Sequence, residues 1–89
     1  MNKKQIIEQE AIQVYNAIIE AMKKSKTNYC RSWWLNTMNL NITLSTSKIT
    51  QRCRLLASKG YLTIDYSKTS TSTGTCYSLT DKKLESQSL

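Results

Sequence analysis

The hydrophobic spacing of this chain changes period once, at Gly60, and that change fixes the order in which a core can be built. Before Gly60 apolar residues recur at the three- and four-residue steps of a helix; after it they alternate, as on a strand. From Gln5 to about Lys24, the residues Ile7, Ala11, Val14, Ile18 and Met22 mark one face of a long helix. Ile12, Tyr15 and Ile19 widen that stripe to about half the circumference, more than a single packing partner needs. The first helix is therefore expected either to be wedged between two elements or to supply a homodimer surface, with Ile12 and Ile19 as the candidate dimer residues.

Ser25 to Tyr29 reads as a connection, and Cys30 to Met38 predicts a short second helix with Trp34, Leu35 and Met38 on its inner side. Trp33 then points about 100° away from Trp34 and covers the flank of the core half exposed. Asn39, Asn41 and Thr43 break the pattern, and Ser45 is placed to cap a third helix whose inner face is Ile49, Cys53 and Leu56. Gly60 stands where a left-handed residue would end that helix. Beyond it, Leu62, Ile64 and Tyr66 alternate with Tyr61, Thr63 and Asp65, and Tyr77 and Leu79 with Cys76, Ser78 and Thr80. These are the two strands of a hairpin, joined by the polar segment Ser67 to Gly74. The expected fold class is mainly α with a small two-stranded β-hairpin, one domain over 1–89: a long helix over about 5–24, two helices and their turn over about 30–59, a hairpin over about 61–80, and a tail over 81–89 that is frayed or forms one helical turn.

Thirteen Lys and Arg against six Asp and Glu give a net charge of +7, with no histidine to alter it near neutrality. The charge is uneven. Residues 23 to 64 hold eight basic side chains and no acid, leaving five basic side chains against six acids elsewhere. A surface of this kind suits a polyanionic partner, because interspersed carboxylates would cancel its field within a Debye length of ~8–10 Å. No apolar run approaches the ~18–20 residues of a membrane span, and Lys3 and Lys4 lead into a mixed polar segment rather than a signal-peptide core, so a cytoplasmic, nucleoid-associated protein is expected. Cys30, Cys53 and Cys76 are odd in number and form no C-x-x-C pair; reduced thiols fit better than a disulfide framework, with one internal bridge still compatible. Without histidine there is no usual zinc set and no base to activate a cysteine, and two glycines do not make a phosphate loop. The expectation is a non-enzyme without metal or cofactor.

Three helices followed at once by a hairpin with a polar loop resemble a winged helix-turn-helix domain. Two segments carry the resemblance locally: Leu55-Leu56-Ala57-Ser58-Lys59-Gly60-Tyr61-Leu62 is similar to the end of a recognition helix entering the first wing strand, and Cys76-Tyr77-Ser78-Leu79-Thr80-Asp81 to the second wing strand. The match covers about residues 5–82 at superfamily level. The stretch between second and third helices, about 39–43, is longer than the tightest turn of this type, and no long C-terminal helix follows the wing.

The resemblance implies sequence-specific binding of double-stranded DNA by a small transcription regulator, and the Asn-, Ser-, Thr- and Lys-rich composition fits a phage- or plasmid-borne one. On the third helix, Ser47, Gln51, Arg54 and Ser58 point away from the inner face, Lys48 and Thr50 flank them, and Arg52 reaches sideways. Gln pairs bidentately with adenine and Arg with guanine, so Ser47, Lys48, Gln51 and Arg54 are the expected base contacts. Expected backbone contacts are Tyr29 and Arg31, beside Ser32 at the start of the second helix, together with Thr50 and the loop residues Lys68, Ser70 and Thr71. Two other readings use the same fold: an adaptor or inhibitor that engages a host protein through the third helix or the Trp33 side, and an accessory DNA-binding protein of replication or recombination.

Overall fold

Asn2 opens the chain's longest element with a capping box: its side chain accepts from the Gln5 amide at 2.9 Å, and the Gln5 side chain accepts from the Asn2 amide at 3.3 Å. Helix α1 then runs Lys3–Ser25. The computed structural model describes residues 2–38, 40, 42–67 and 74–84. Seven residues of α1 are buried, Ala11, Val14, Tyr15, Ala17, Ile18, Ala21 and Met22, and the three alanines let neighbouring backbone come close. Within the chain α1 packs against α3 (Thr46–Ser58), α2 (Trp34–Thr37) and β1 (Cys30–Arg31), so it is wedged between elements. Ile19 packs on the core, and Ile12 is half-buried.

The second helix differs from the expectation at its start. Cys30 and Arg31, read as helical, form strand β1, and α2 is a four-residue turn of helix with no side-chain cap. The cause is a distant pairing: Cys30 lies opposite Tyr77 and Arg31 opposite Cys76, and the Ser32 amide continues the ladder to the Thr75 carbonyl at 2.9 Å. The hairpin strands β2 (Leu62–Ile64) and β3 (Cys76–Leu79) pair antiparallel with Leu62 opposite Leu79 and Ile64 opposite Tyr77. The sheet thus has three strands, ordered β1-β3-β2, rather than two, and the architecture is about half helix with a three-stranded antiparallel sheet. Cys76 and Tyr77, adjacent on the central strand, are both buried although they point to opposite faces. Tyr66, read as the outer end of the first strand, lies in a turn and is 78% exposed; the Asp65 carboxylate takes the Ser67 amide at 3.1 Å there.

Helix α3 begins and ends as its sequence requires. The Ser45 hydroxyl accepts from the Lys48 amide at 3.3 Å. At the other end Gly60 has φ of +88°, and the amides of Gly60 and Tyr61 return to the carbonyls of Ala57 and Leu56 at 3.1 and 3.0 Å. Tyr61 is thereby delivered into the core against Tyr15, ring edge to face, with centroids 6.3 Å apart. Residues 81–84 form no helical turn. They lie back on this junction: the Lys82 ammonium sits 4.6 Å from the Tyr61 ring centroid and donates to the Lys59 carbonyl at 3.0 Å, adding positive charge at the C-terminal end of α3, and Leu84 packs on the core. The rest of the expected tail lies outside the described residues.

Two buried side-chain polar atoms lack a hydrogen-bond partner among the described residues, the Tyr15 hydroxyl and Nε of Arg52. The Tyr15 side chain is 3% exposed. An unpaired buried hydroxyl costs ~1–3 kcal/mol, while the ring supplies the packing against Tyr61. Tyr15→Phe should therefore leave stability unchanged or raise it by about 1–2 kcal/mol in urea unfolding at neutral pH. A loss of more than about 1 kcal/mol would mean that the hydroxyl is bonded after all.

Candidate nucleic-acid interface

Helix α3 divides its residues by side. Ile49, Cys53 and Leu56 are buried, whereas Ser47, Lys48, Gln51, Arg54 and Ser58 are exposed and Thr50 is half-buried. The structure thus gathers all four expected base-contact residues on one accessible face of a capped helix. Their hydrogen-bonding capacity is unevenly committed. The Thr50 hydroxyl donates to the Thr46 carbonyl at 3.1 Å and that of Ser58 to the Leu55 carbonyl at 2.7 Å, so both protons are used within the helix. Gln51 makes only a 3.4 Å contact from its amide nitrogen to Ser47, and Arg54 makes no hydrogen bond or ion pair among the described residues. Gln51 and Arg54 are the groups most available to a ligand. A bond of 3.1 Å from the Thr46 hydroxyl to the side-chain Oδ1 of Asn36 fixes α2 against the start of the helix.

Lys48 and Arg52 have a partner that charge counting along the chain did not locate. Glu10, on the second turn of α1, lies 3.1 Å from the Lys48 ammonium and 3.3 Å from Nε of Arg52. The stretch free of acids in sequence is not free of acid in space. The signal was present in principle, since Glu10 precedes the buried Ala11 on the helix face that packs on α3. Arg52 reaches sideways as expected, and this is the group that it reaches.

The expected backbone contacts fare differently. Tyr29 and Arg31 are half-buried, with the Arg31 guanidinium 5.4 Å from the centre of the Tyr29 ring, and Tyr29 in turn packs on Trp34 at 5.6 Å. Their placement at a helix start is corrected: Arg31 belongs to β1, the Ser32 amide is spent on Thr75, and α2 is too short to offer a free first turn. Charge alone remains as the argument for Arg31. Trp33 is 48% exposed, with its edge on Trp34, while Trp34 lies partly buried against the core. Gly74 returns the chain from the hairpin against this corner with φ of +78°; a Cβ there would come within 2.9 Å of the Ser32 hydroxyl and 3.5 Å of the Trp33 ring. Lys68, Ser70 and Thr71 lie outside the described residues.

The three cysteines come from β1, α3 and β3, not from two helices and a strand, and all are buried and free. They are close enough to sense one another. Burial pushes the Cys30 thiol from an ordinary 9.0 up to about 12, helped by the neighbouring Cys53 and Cys76. Burial also raises Cys53 to about 12, against a hydrogen bond with Tyr77 that favours the thiolate. The Tyr77 hydroxyl is raised from 10.0 to about 12, again first by burial and then by Cys53, with Thr75 and Arg54 pulling the other way. Among the described residues no three His, Cys, Asp or Glu side chains are arranged to hold a metal ion, and no helix is long and apolar enough to cross a membrane.

No protein-family model, no curated protein and no solved structure matches the chain, so the functional reading rests on its own side chains.

The thiol cluster makes stability depend on alkaline pH with a definite sign. A folded value raised above the unfolded one favours the native state while both forms are protonated; that stability is complete below about pH 9 and is lost as pH rises to about 12, because the unfolded chain releases protons first. Urea unfolding should be flat from pH 7 to about 8.5 and then weaken by up to ~1.4 kcal/mol per pH unit for each group titrating. A stability constant to pH 11 would show that these thiols ionise as freely in the folded protein as in the unfolded chain.

Proposed function

We propose that the chain is a winged helix-turn-helix domain that binds double-stranded DNA sequence-specifically and serves as a small transcription regulator, with no catalytic step and no cofactor. The observation that supports this best is the outward face of α3. A helix about 10–12 Å across matches the ~12 Å major groove, and this one carries an amide, a guanidinium, an ammonium and a hydroxyl on the side opposite its core contacts. The β2–β3 hairpin follows directly and provides the wing. In this reading Gln51 reads adenine, Arg54 reads guanine and Ser47 adapts to either, while Lys48, whose ammonium turns toward Glu10 of α1, meets a phosphate from the first turn rather than a base. Lys68, Ser70 and Thr71 in the wing, with Arg31 and Tyr29 at its root, carry backbone contacts, and Thr50 joins them only by giving up its bond to the Thr46 carbonyl. A second reading, a module that docks on a host protein, draws on the exposure of Trp33 at 48% and Tyr66 at 78%.

Base contacts and phosphate contacts fail in different ways, and this separates the two readings. Gln51→Ala or Arg54→Ala should each cost ~1–3 kcal/mol on the preferred duplex and flatten discrimination among duplexes, measured by fluorescence anisotropy on sites selected from random sequence. Lys68→Ala should weaken all duplexes alike and reduce the slope of log affinity against log salt by about 0.9. Each variant is compared by circular dichroism first, because lost packing would imitate lost contacts. Retention of affinity and site preference in folded Gln51→Ala and Arg54→Ala would remove α3 from the groove and move the protein-docking reading ahead.

A further inference from the structure

We propose that Glu10 is a built-in competitor of DNA phosphate: it holds Lys48 in the free protein, gives it up on binding, and so lowers the affinity for every duplex. This rests on the DNA-binding reading above. Glu10 is 12% exposed and has a different partner at each oxygen. One of them, Arg52, is itself only 13% exposed, so it stays with the carboxylate and keeps it on α3. The other, Lys48, is 52% exposed.

An exposed ion pair contributes only about 0–1 kcal/mol, and a phosphate entering beside α3 can replace it. The backbone of Lys48 need not move, because its amide is held by the Ser45 cap; the side chain alone exchanges. Helix α3 has no acid of its own in its first turn, and Glu10 supplies that charge from α1.

Counter-ion accounting gives the consequence. A lysine that neutralises a phosphate normally releases about one condensed cation, which is what makes binding salt-dependent. When Lys48 leaves Glu10, however, the freed carboxylate takes up a cation from solution, and an open groove lined by Ile6, Gln9, Gln13, Thr43 and Leu44 leads to it. Release and uptake cancel. Lys48 then contributes little to the salt dependence of the wild-type protein, although it stands at the interface.

The test uses the full chain and random-sequence duplex DNA across a salt series. Glu10→Gln, which retains a carbonyl oxygen for Arg52, should bind up to about fivefold tighter at ~0.1 M salt and steepen the log–log slope by about 0.9. Adding Lys48→Gln should abolish that gain. Lys48→Gln in the wild-type background should change the slope by much less than one unit, and this arm holds even if Glu10→Gln proves unstable. A full unit lost from Lys48→Gln alone, or a folded Glu10→Gln with an unaltered slope, overturns the proposal while leaving DNA binding intact. A wild-type protein that ignores duplex DNA at every salt concentration removes the DNA reading and this inference together.

Discussion

Strand β3 is the element on which the rest of the structure depends. Four residues, Cys76–Leu79, pair on one side with β2 and on the other with β1, tying the end of the chain to the segment that follows α1. Tyr77 sits opposite both Cys30 and Ile64, and its hydroxyl interacts with Cys53 of α3. One residue is thus paired in register with both edge strands and bonded through its side chain to the helix whose outer face is the candidate interface. Removing that strand would leave β1 without a ladder and the hairpin without a mate, while α1 lost the β1 side of its packing. Between α3 and the hairpin there is accordingly a buried contact at Tyr77 and Cys53 as well as the turn at Gly60.

This non-local origin explains which parts of the fold were legible in the sequence. α1 and α3 were, because α1 repeats its apolar spacing over more than three turns and α3 over about two, the latter between a start signal at Ser45 and a stop signal at Gly60. The hairpin was, because Leu62–Ile64 and Cys76–Leu79 alternate. β1 was not. A two-residue strand has no period to read, and what makes Cys30–Arg31 extended is a pair of residues more than forty positions away. Trp34, Leu35 and Met38 do lie on the inner side of a helical turn, so the apolar pattern was real but was extended too far back. Residues 81–84 escape a local reading for a related reason: Lys82 and Leu84 are held by a ring and a core that only tertiary structure brings near.

The candidate interface shows the same division. Which side chains of α3 face outward follows from 3.6-residue geometry once Ile49, Cys53 and Leu56 are placed inside, and Ser47, Lys48, Gln51 and Arg54 are all exposed. What their charges amount to does not follow. Net charge counted over 23–64 treats every lysine and arginine as equal, yet Arg52 is held in a nearly buried pair, Lys48 in an exposed one, and Arg54 in none among the described residues. The quantity that matters to a polyanion is the charge left uncommitted, and that depends on which acid the packing of α1 on α3 brings across.

Commitment of donors sharpens the assignment of roles in the proposed complex. Thr50 and Ser58 spend their hydroxyl protons on carbonyls one turn back, so each can still accept but has no proton to offer a phosphate without breaking a bond. Gln51 has a donor in a 3.4 Å contact that costs little to give up, and Arg54 has its full fork to offer. These two side chains are also the ones whose geometry can distinguish one base pair from another, since each can form two parallel bonds to a base edge. The groups least engaged by the fold are therefore the groups best suited to reading sequence, and they lie one turn apart on a helix held at both ends by a cap, on one side by β2 and on the other by α1.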